Sequence, residues 1–198
     1  MLTDLLDPAA HADHWPWALV LLLAAVVVGA LLPVLPTGAA VSAMAALGHH
    51  RSWLSLGEVV VVGAAAAYAA DVVLYALLLR GAHTGPGRRL RRRAEEHGRL
   101  DELGARLSRH DVTTLVTSRL LPGARIPVLA AAATTGYPAV RFAVANAVPA
   151  VCWAVAYAAL GLAGRAVGDR PWVSVAVAVA FGLAASGLTG LVRRLRAR

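Results

Sequence analysis

The 198-residue chain has no lysine, a single cysteine (Cys152) and few aromatic residues, 6% of the total. One cysteine excludes an intrachain disulfide framework and a paired-cysteine metal site. Because Cys152 lies in an apolar run, it reads as packing filler. Acids are scarce as well, 11 against 19 basic residues, all arginine, for a net charge of +8. Asp4, Asp7 and Asp13 fall in the first 17 residues, where there is no arginine. That stretch lacks the positive segment of a cleaved signal peptide, so the first apolar run is expected to stay in the mature protein. The adjacent His49 and His50 would face apart on a helix, and neither a metal nor a cofactor is expected.

What the chain has in quantity is apolar sequence, 59% of residues, in several runs near the length that crosses a bilayer. This indicates an integral membrane protein. The arginines sit mostly between and after those runs, as positive-inside topology requires. With no soluble domain to present a basic face, nucleic acid is not an expected partner.

Residues 15–32 are apolar, and Pro33-Val34-Leu35-Pro36-Thr37-Gly38 then interrupts the run before small residues that end at Gly48. The stretch after the prolines is too short to span, so 33–48 is read as a re-entrant hairpin. Residues 56–79 span, with Glu58 near one end and Asp71 well inside. Residues 80–110 form a polar connection with nine arginines, read as a solvated cytoplasmic loop or a membrane-surface helix. Residues 112–135 hold a second broken segment, and 142–163 and 172–192 span. The expected architecture is all-α: about four transmembrane helices plus two opposed re-entrant hairpins in an inverted repeat. By domain, 1–14 is a polar segment, 15–192 one membrane domain and 193–198 a basic cytoplasmic tail. If 80–110 is cytoplasmic, 15–32 runs inward-to-outward and both termini are cytoplasmic. Trp15, Trp17, Trp53 and Trp172 fall at run ends and read as interfacial anchors.

The most informative segment is Ser118-Arg119-Leu120-Leu121-Pro122-Gly123-Ala124-Arg125-Ile126-Pro127. A guanidinium at the centre of the hydrocarbon costs roughly 2.5 to 3.5 kcal/mol, so two of them mark a functional site. Pro122, Gly123 and Pro127 break the helix and give a turn that brings both heads to one side. Two guanidiniums with bidentate reach suit a phosphate monoester. The alternative is pairing with Asp71 or with carbonyls freed by the break. Asp71 shares a helical face with Tyr68 and Tyr75, as a coupling or counter-ion group or as an arginine's structural partner. Asn146 and Trp153 share a face of the following helix; there Asn146 either satisfies hairpin backbone groups or binds ligand.

Ser118-Arg119-Leu120-Leu121-Pro122-Gly123-Ala124-Arg125, followed by Gly136, Phe142, Asn146 and Trp153, resembles the arginine hairpin and following helix of the DedA family of bacterial membrane proteins. That family is related to the eukaryotic VTT-domain, or SNARE-associated, proteins. The likeness covers roughly 17–192: Leu35-Pro36 through Gly48 resembles the family's first hairpin, with Pro33, Pro36 and Gly48 shaping it as Pro122, Pro127 and Gly136 shape the second. Asp71 with Tyr75 resembles the next helix. The resemblance implies a multi-pass protein of a bacterial-type plasma membrane that moves a lipid-linked phosphate, foremost undecaprenyl (polyprenyl) phosphate. Arg119, Arg125, Ser118, Gly123 and Asn146 would contact substrate, and Asp71 and Tyr75 would serve coupling. Proton-coupled members carry a carboxylate after the first-hairpin proline and another one helix-length earlier; here the first position is about Gly38, and 26–32 holds no acid. Membrane lipids are the expected partners, with protons or sodium as coupling ion and the oligomeric state left open. Two other readings stand beside the carrier: a non-selective phospholipid scramblase, and a membrane lipid phosphatase built on Ser108-Arg109-His110-Asp111. The phosphatase is disfavoured because consecutive residues do not converge on one phosphate, and the expectation is that the protein is not an enzyme.

Overall fold

The computed structural model describes residues 14–31, 37–82, 99–120 and 124–167 together with the single positions 176 and 180. They form seven α-helices: α1 (Trp15–Leu31), α2 (Thr37–Arg51), α3 (Trp53–Ala82), α4 (Arg99–Arg109), α5 (Asp111–Leu120), α6 (Arg125–Thr134) and α7 (Ala139–Val167). No strand occurs among the described residues. Two helices are long and apolar enough to cross a membrane, over Trp53–Gly81 and Ala139–Gly164. These match the expected spans at 56–79 and 142–163, whereas the expected span at 172–192 lies outside the described residues apart from 176 and 180.

The chain divides into two compact units, one of Met1–Ala67 with Ala154–Val179, the other of Tyr68–Trp153 with Ala180–Arg198. In the first unit, α1 and α2 are neighbours. The indole Nε1 of Trp15 donates to Glu58 Oε2 at 2.6 Å, and a methyl group at Gly48 would touch the Trp15 ring. The start of α1 therefore lies beside the end of α2 and the start of α3, so α1 and α2 are antiparallel arms.

This corrects the expected path of the N-terminal segment. The antiparallel arms are α1 (15–31) and α2 (37–51) rather than the two halves of 33–48, because the Trp15 indole at the start of α1, and not the end of the 15–32 run, meets Glu58. Pro33 and Pro36 themselves lie outside the described residues.

Small residues let α2 approach the C-terminal part of α7. Ser42 Oγ donates to the Tyr157 carbonyl at 2.6 Å, Gly38 lies under the Tyr157 ring, and Gly161 faces the Ser42 carbonyl with no room for a side chain. Close backbone approach of this kind is how helices associate where hydrocarbon offers no hydrophobic driving force.

In the second unit, α4 is strongly amphipathic. It buries Leu107 and packs Leu103 onto a core of Tyr75, Leu115, Val128, Leu129, Ala132 and Phe142. The basic connection thus ends in a helix docked by its leucines, with Arg106 and Glu102 exposed and paired at 2.7 Å. Helices α5 and α6, ten residues each, rise only about 15 Å and are too short to cross. α6 ends in a Schellman turn: Gly136 has φ +72° and Tyr137 N–H donates to the Ala132 carbonyl at 3.0 Å, a geometry glycine adopts without strain.

Replacing Gly161 by alanine should lower thermal stability by about 1 to 3 kcal/mol, because the added carbon meets backbone that cannot rotate away. Gly57→Ala, in the open, should be neutral or slightly stabilising. Melting of both variants in detergent tests this packing; equal midpoints would contradict it.

Candidate functional site

The site is built around Asp71, whose side chain is 1% exposed at mid-length in α3. Arg119 NH1 donates to its Oδ2. Arg125 donates from Nε to Oδ1 at 2.6 Å, and its NH2 is 2.5 Å from the same oxygen. Both carboxylate oxygens are thus engaged, one by each arginine. The Arg119 side chain is 7% exposed and that of Arg125 21%. The Arg119 guanidinium also stands over the Trp153 ring, 5.2 Å from its centroid, a cation–π contact that gains strength when desolvated.

Local structure explains how the arginines converge. Arg119 lies in the last turn of α5, where a cation complements the helix dipole. Arg125 is the first residue of α6, where the dipole is positive and a cation is least welcome. The N-cap, Ala124, makes no side-chain cap, so the first amides of α6 add positive potential beside Arg125. Two guanidiniums, one from a helix end and one from a helix start, therefore share one carboxylate. Arg119 Nε and Asn146 Nδ2 are buried with no hydrogen-bond partner among the described residues.

The remaining expected site residues distribute unevenly. Ser118 is buried, and its hydroxyl donates to the Leu115 carbonyl at 2.8 Å, so its proton is used inside α5. Tyr75, expected beside Asp71 as a coupling group, instead donates its hydroxyl to the Tyr137 carbonyl and stacks its ring on Phe142 at 4.3 Å. It braces the turn after α6, because a buried phenol takes the acceptor within reach. Asn146 is 2% exposed, and its amide nitrogen meets no partner among the described residues. Pro127 sits in the first turn of α6, where its missing N–H costs no helix bond. Pro122 and Gly123 lie outside the described residues. Gly136 is the turn residue expected of it, and Gly48 packs on Trp15. Among the described residues, no three His, Cys, Asp or Glu side chains gather as metal ligands.

A second polar cluster escaped the sequence reading. Asp111 Oδ2 accepts from Arg141 Nε at 3.0 Å and from the Tyr137 hydroxyl at 3.1 Å, while its Oδ1 accepts from Val112 N–H at 2.8 Å. Arg141 also reaches the Ser108 carbonyl at 3.3 Å. The signal available in the sequence was an acid opening a helix and an arginine three residues after Pro138. The Val112 amide first, and then Arg141, hold the Asp111 carboxyl below the usual carboxylate range. Burial, and then the facing Asp111, push the Tyr137 phenol up to about 12.

A buried carboxylate shared by two arginines from neighbouring short helices is one of the two arrangements that the arginine motif allows, and the family comparison covers the residues that build it. The family model of the VTT domain matches residues 15–163. The chain belongs to the VTT-domain family, the DedA or SNARE-associated membrane proteins. No curated protein and no solved structure matched it. The matched VTT region takes in Asp71, both arginines, Asn146 and Trp153, together with the whole of the first candidate span and all but the last residue of the second.

The Asp111 cluster gives this VTT domain a defined pH response. A carboxyl whose folded value lies below its ordinary 3.8 adds stability above that value and loses it as pH falls through the lowered one. Wild type should therefore melt higher than Asp111→Asn at pH 7, with the gap closing below about pH 4. A gap that is constant or widens toward acid would contradict the assignment.

Proposed function

We propose that this VTT protein is a carrier of a lipid-linked phosphate in a bacterial-type plasma membrane, with undecaprenyl (polyprenyl) phosphate as the foremost substrate. The observation that carries this reading is the sharing of Asp71 by Arg119 and Arg125. One carboxylate between two guanidiniums leaves a net positive charge, and a phosphate supplies both the balancing charge and oxygens for further N–H donors. The uncapped start of α6 favours an anion at the same place. In this reading the headgroup sits at the arginines while the isoprenoid tail stays in lipid. Two re-entrant hairpins of opposite orientation, the inverted repeat read in the sequence, give the headgroup access from either side. The positive-inside rule favours the arginine-rich 80–110 in the cytoplasm.

An ion is the natural companion of such a cycle, and Asp71 is the group placed to release or retain its arginines as that ion comes and goes. The carrier reading is preferred to a phosphatase because Ser108 donates its hydroxyl to the Gly104 carbonyl at 3.0 Å and Asp111 is engaged by Arg141 and Tyr137. Neither is left as a nucleophile with a base beside it.

Translocation in proteoliposomes, with undecaprenyl phosphate and phosphatidylcholine as separate reporters, tests this reading. Arg119→Ala should slow the polyprenyl phosphate by at least about 100-fold, the scale of losing two charge-assisted hydrogen bonds, with membrane insertion retained. Arg106→Ala, on the exposed face of α4, should be silent. Equal movement of both lipids would favour a scramblase, and an Arg119→Ala protein as active as wild type would refute the clamp.

A further inference from the structure

Helix α4 reaches the apolar layer that adjoins the Asp71 cluster. Its Leu107 is fully buried, in one core with Tyr75, Leu115, Val128, Leu129 and Phe142. Register sets that core next to the charged groups. On α3 Tyr75 follows Asp71 by one turn, on α5 Leu115 precedes Arg119 by one turn, and on α6 Leu129 follows Arg125 by one turn. Three helices thus carry the charged groups about 6 Å beyond the same apolar layer, to which Leu107 belongs. Tyr75 lies on the Arg80 side of Asp71 along α3. The layer that Leu107 fills therefore stands between the charged cluster and the Arg80 end.

The helix that supplies Leu107 is lightly held. Leu107 is buried and Leu103 partly so, while Glu102, Arg106 and Arg109 on the same helix are exposed. Gly104 lies against the end of α6, where an added carbon would stand 3.1 Å from the Thr135 Cβ. A single residue, His110, joins α4 to α5. The polar fastening is peripheral: Arg141 reaches the Ser108 carbonyl at 3.3 Å and pairs with Asp111 at 3.0 Å, with the two side chains 51% and 27% exposed. An ion pair so open to solvent is weak. A released amphipathic helix has a second resting place, the membrane surface, where its leucines meet lipid and its arginines meet headgroups. Both positions bury the same leucines, which suits an element with two discrete arrangements.

We infer that α4 is a gate between the Asp71 cluster and water at the Arg80 end, with Leu107 as its plug and Arg141 as its latch. Docked, α4 closes that side of the cluster. Swung away about His110, it takes Leu107 out of the layer and opens a path to the arginines.

The experiment uses the full chain in proteoliposomes, with Cys152→Ala as background. Ser118→Cys, at a buried position next to Arg119 in the chain, reports access behind the plug to a water-soluble maleimide. Ser42→Cys, at a buried position of the first unit, reports loosening of the fold. Arg141→Ala should speed labelling of Ser118→Cys by about fivefold, the scale of losing an exposed ion pair, and leave that of Ser42→Cys unchanged. No acceleration at Ser118→Cys, or equal acceleration at both positions, would overturn the gate. A second arm joins α4 to α6 by oxidising Gly104→Cys with Thr135→Cys, which should stop translocation of polyprenyl phosphate until reductant is added; undiminished movement in the oxidised state would also overturn it. This arm rests on the carrier reading, and the labelling does not. If wild type moves no lipid while Arg141→Ala opens Ser118→Cys alone, the carrier reading falls and the gate stands.

Discussion

The carboxylate of Asp71 is the interaction on which the second unit depends. A lone charge in hydrocarbon is costly, and two guanidiniums brought together without a counter-charge would repel as well. Placed between them, Asp71 satisfies one donor face of each. Each arginine takes one of its oxygens, which ties the end of α5 and the start of α6 to the middle of α3.

The surrounding architecture supports this geometry. The separation of α5 from α6 allows one arginine to come from a helix end and the other from a helix start, which a continuous helix could not do over six residues. The Schellman turn at Gly136 returns the chain from α6 to α7, and Tyr75 locks that turn by binding the Tyr137 carbonyl. Asp111 and Arg141 tie the start of α5 to the start of α7. Trp153 covers the apolar face of Arg119, shielding a guanidinium without adding a competing acceptor. In the first unit, small residues act differently, bringing α2 and α7 close enough for Ser42 to reach backbone on its neighbour.

Much of this was legible in the sequence because charge in an apolar run is a strong signal. Arg119, Arg125 and Asp71 stand out by cost alone, and the prolines and glycines mark where helices should stop. The two long spans follow from hydropathy and length. What could not be read was direction. The apolar run at 15–32 reads as a span ending near Glu58, whereas it is the start of the run, at Trp15, that meets Glu58. Helical spacing puts Tyr75 on the Asp71 face but does not show that its phenol reaches the Tyr137 carbonyl. The Asp111–Arg141–Tyr137 cluster joins residues 30 apart, a separation that periodicity does not address.

Equilibrium binding of farnesyl phosphate and of farnesol to the purified full chain in detergent asks most directly whether the Asp71–Arg119–Arg125 cluster holds the phosphate of a lipid-linked phosphate. The phosphate ester should bind, the alcohol with the same tail should not, and Arg125→Gln should abolish the difference. Equal binding of the two, or a preference that survives Arg125→Gln, would contradict the phosphate clamp.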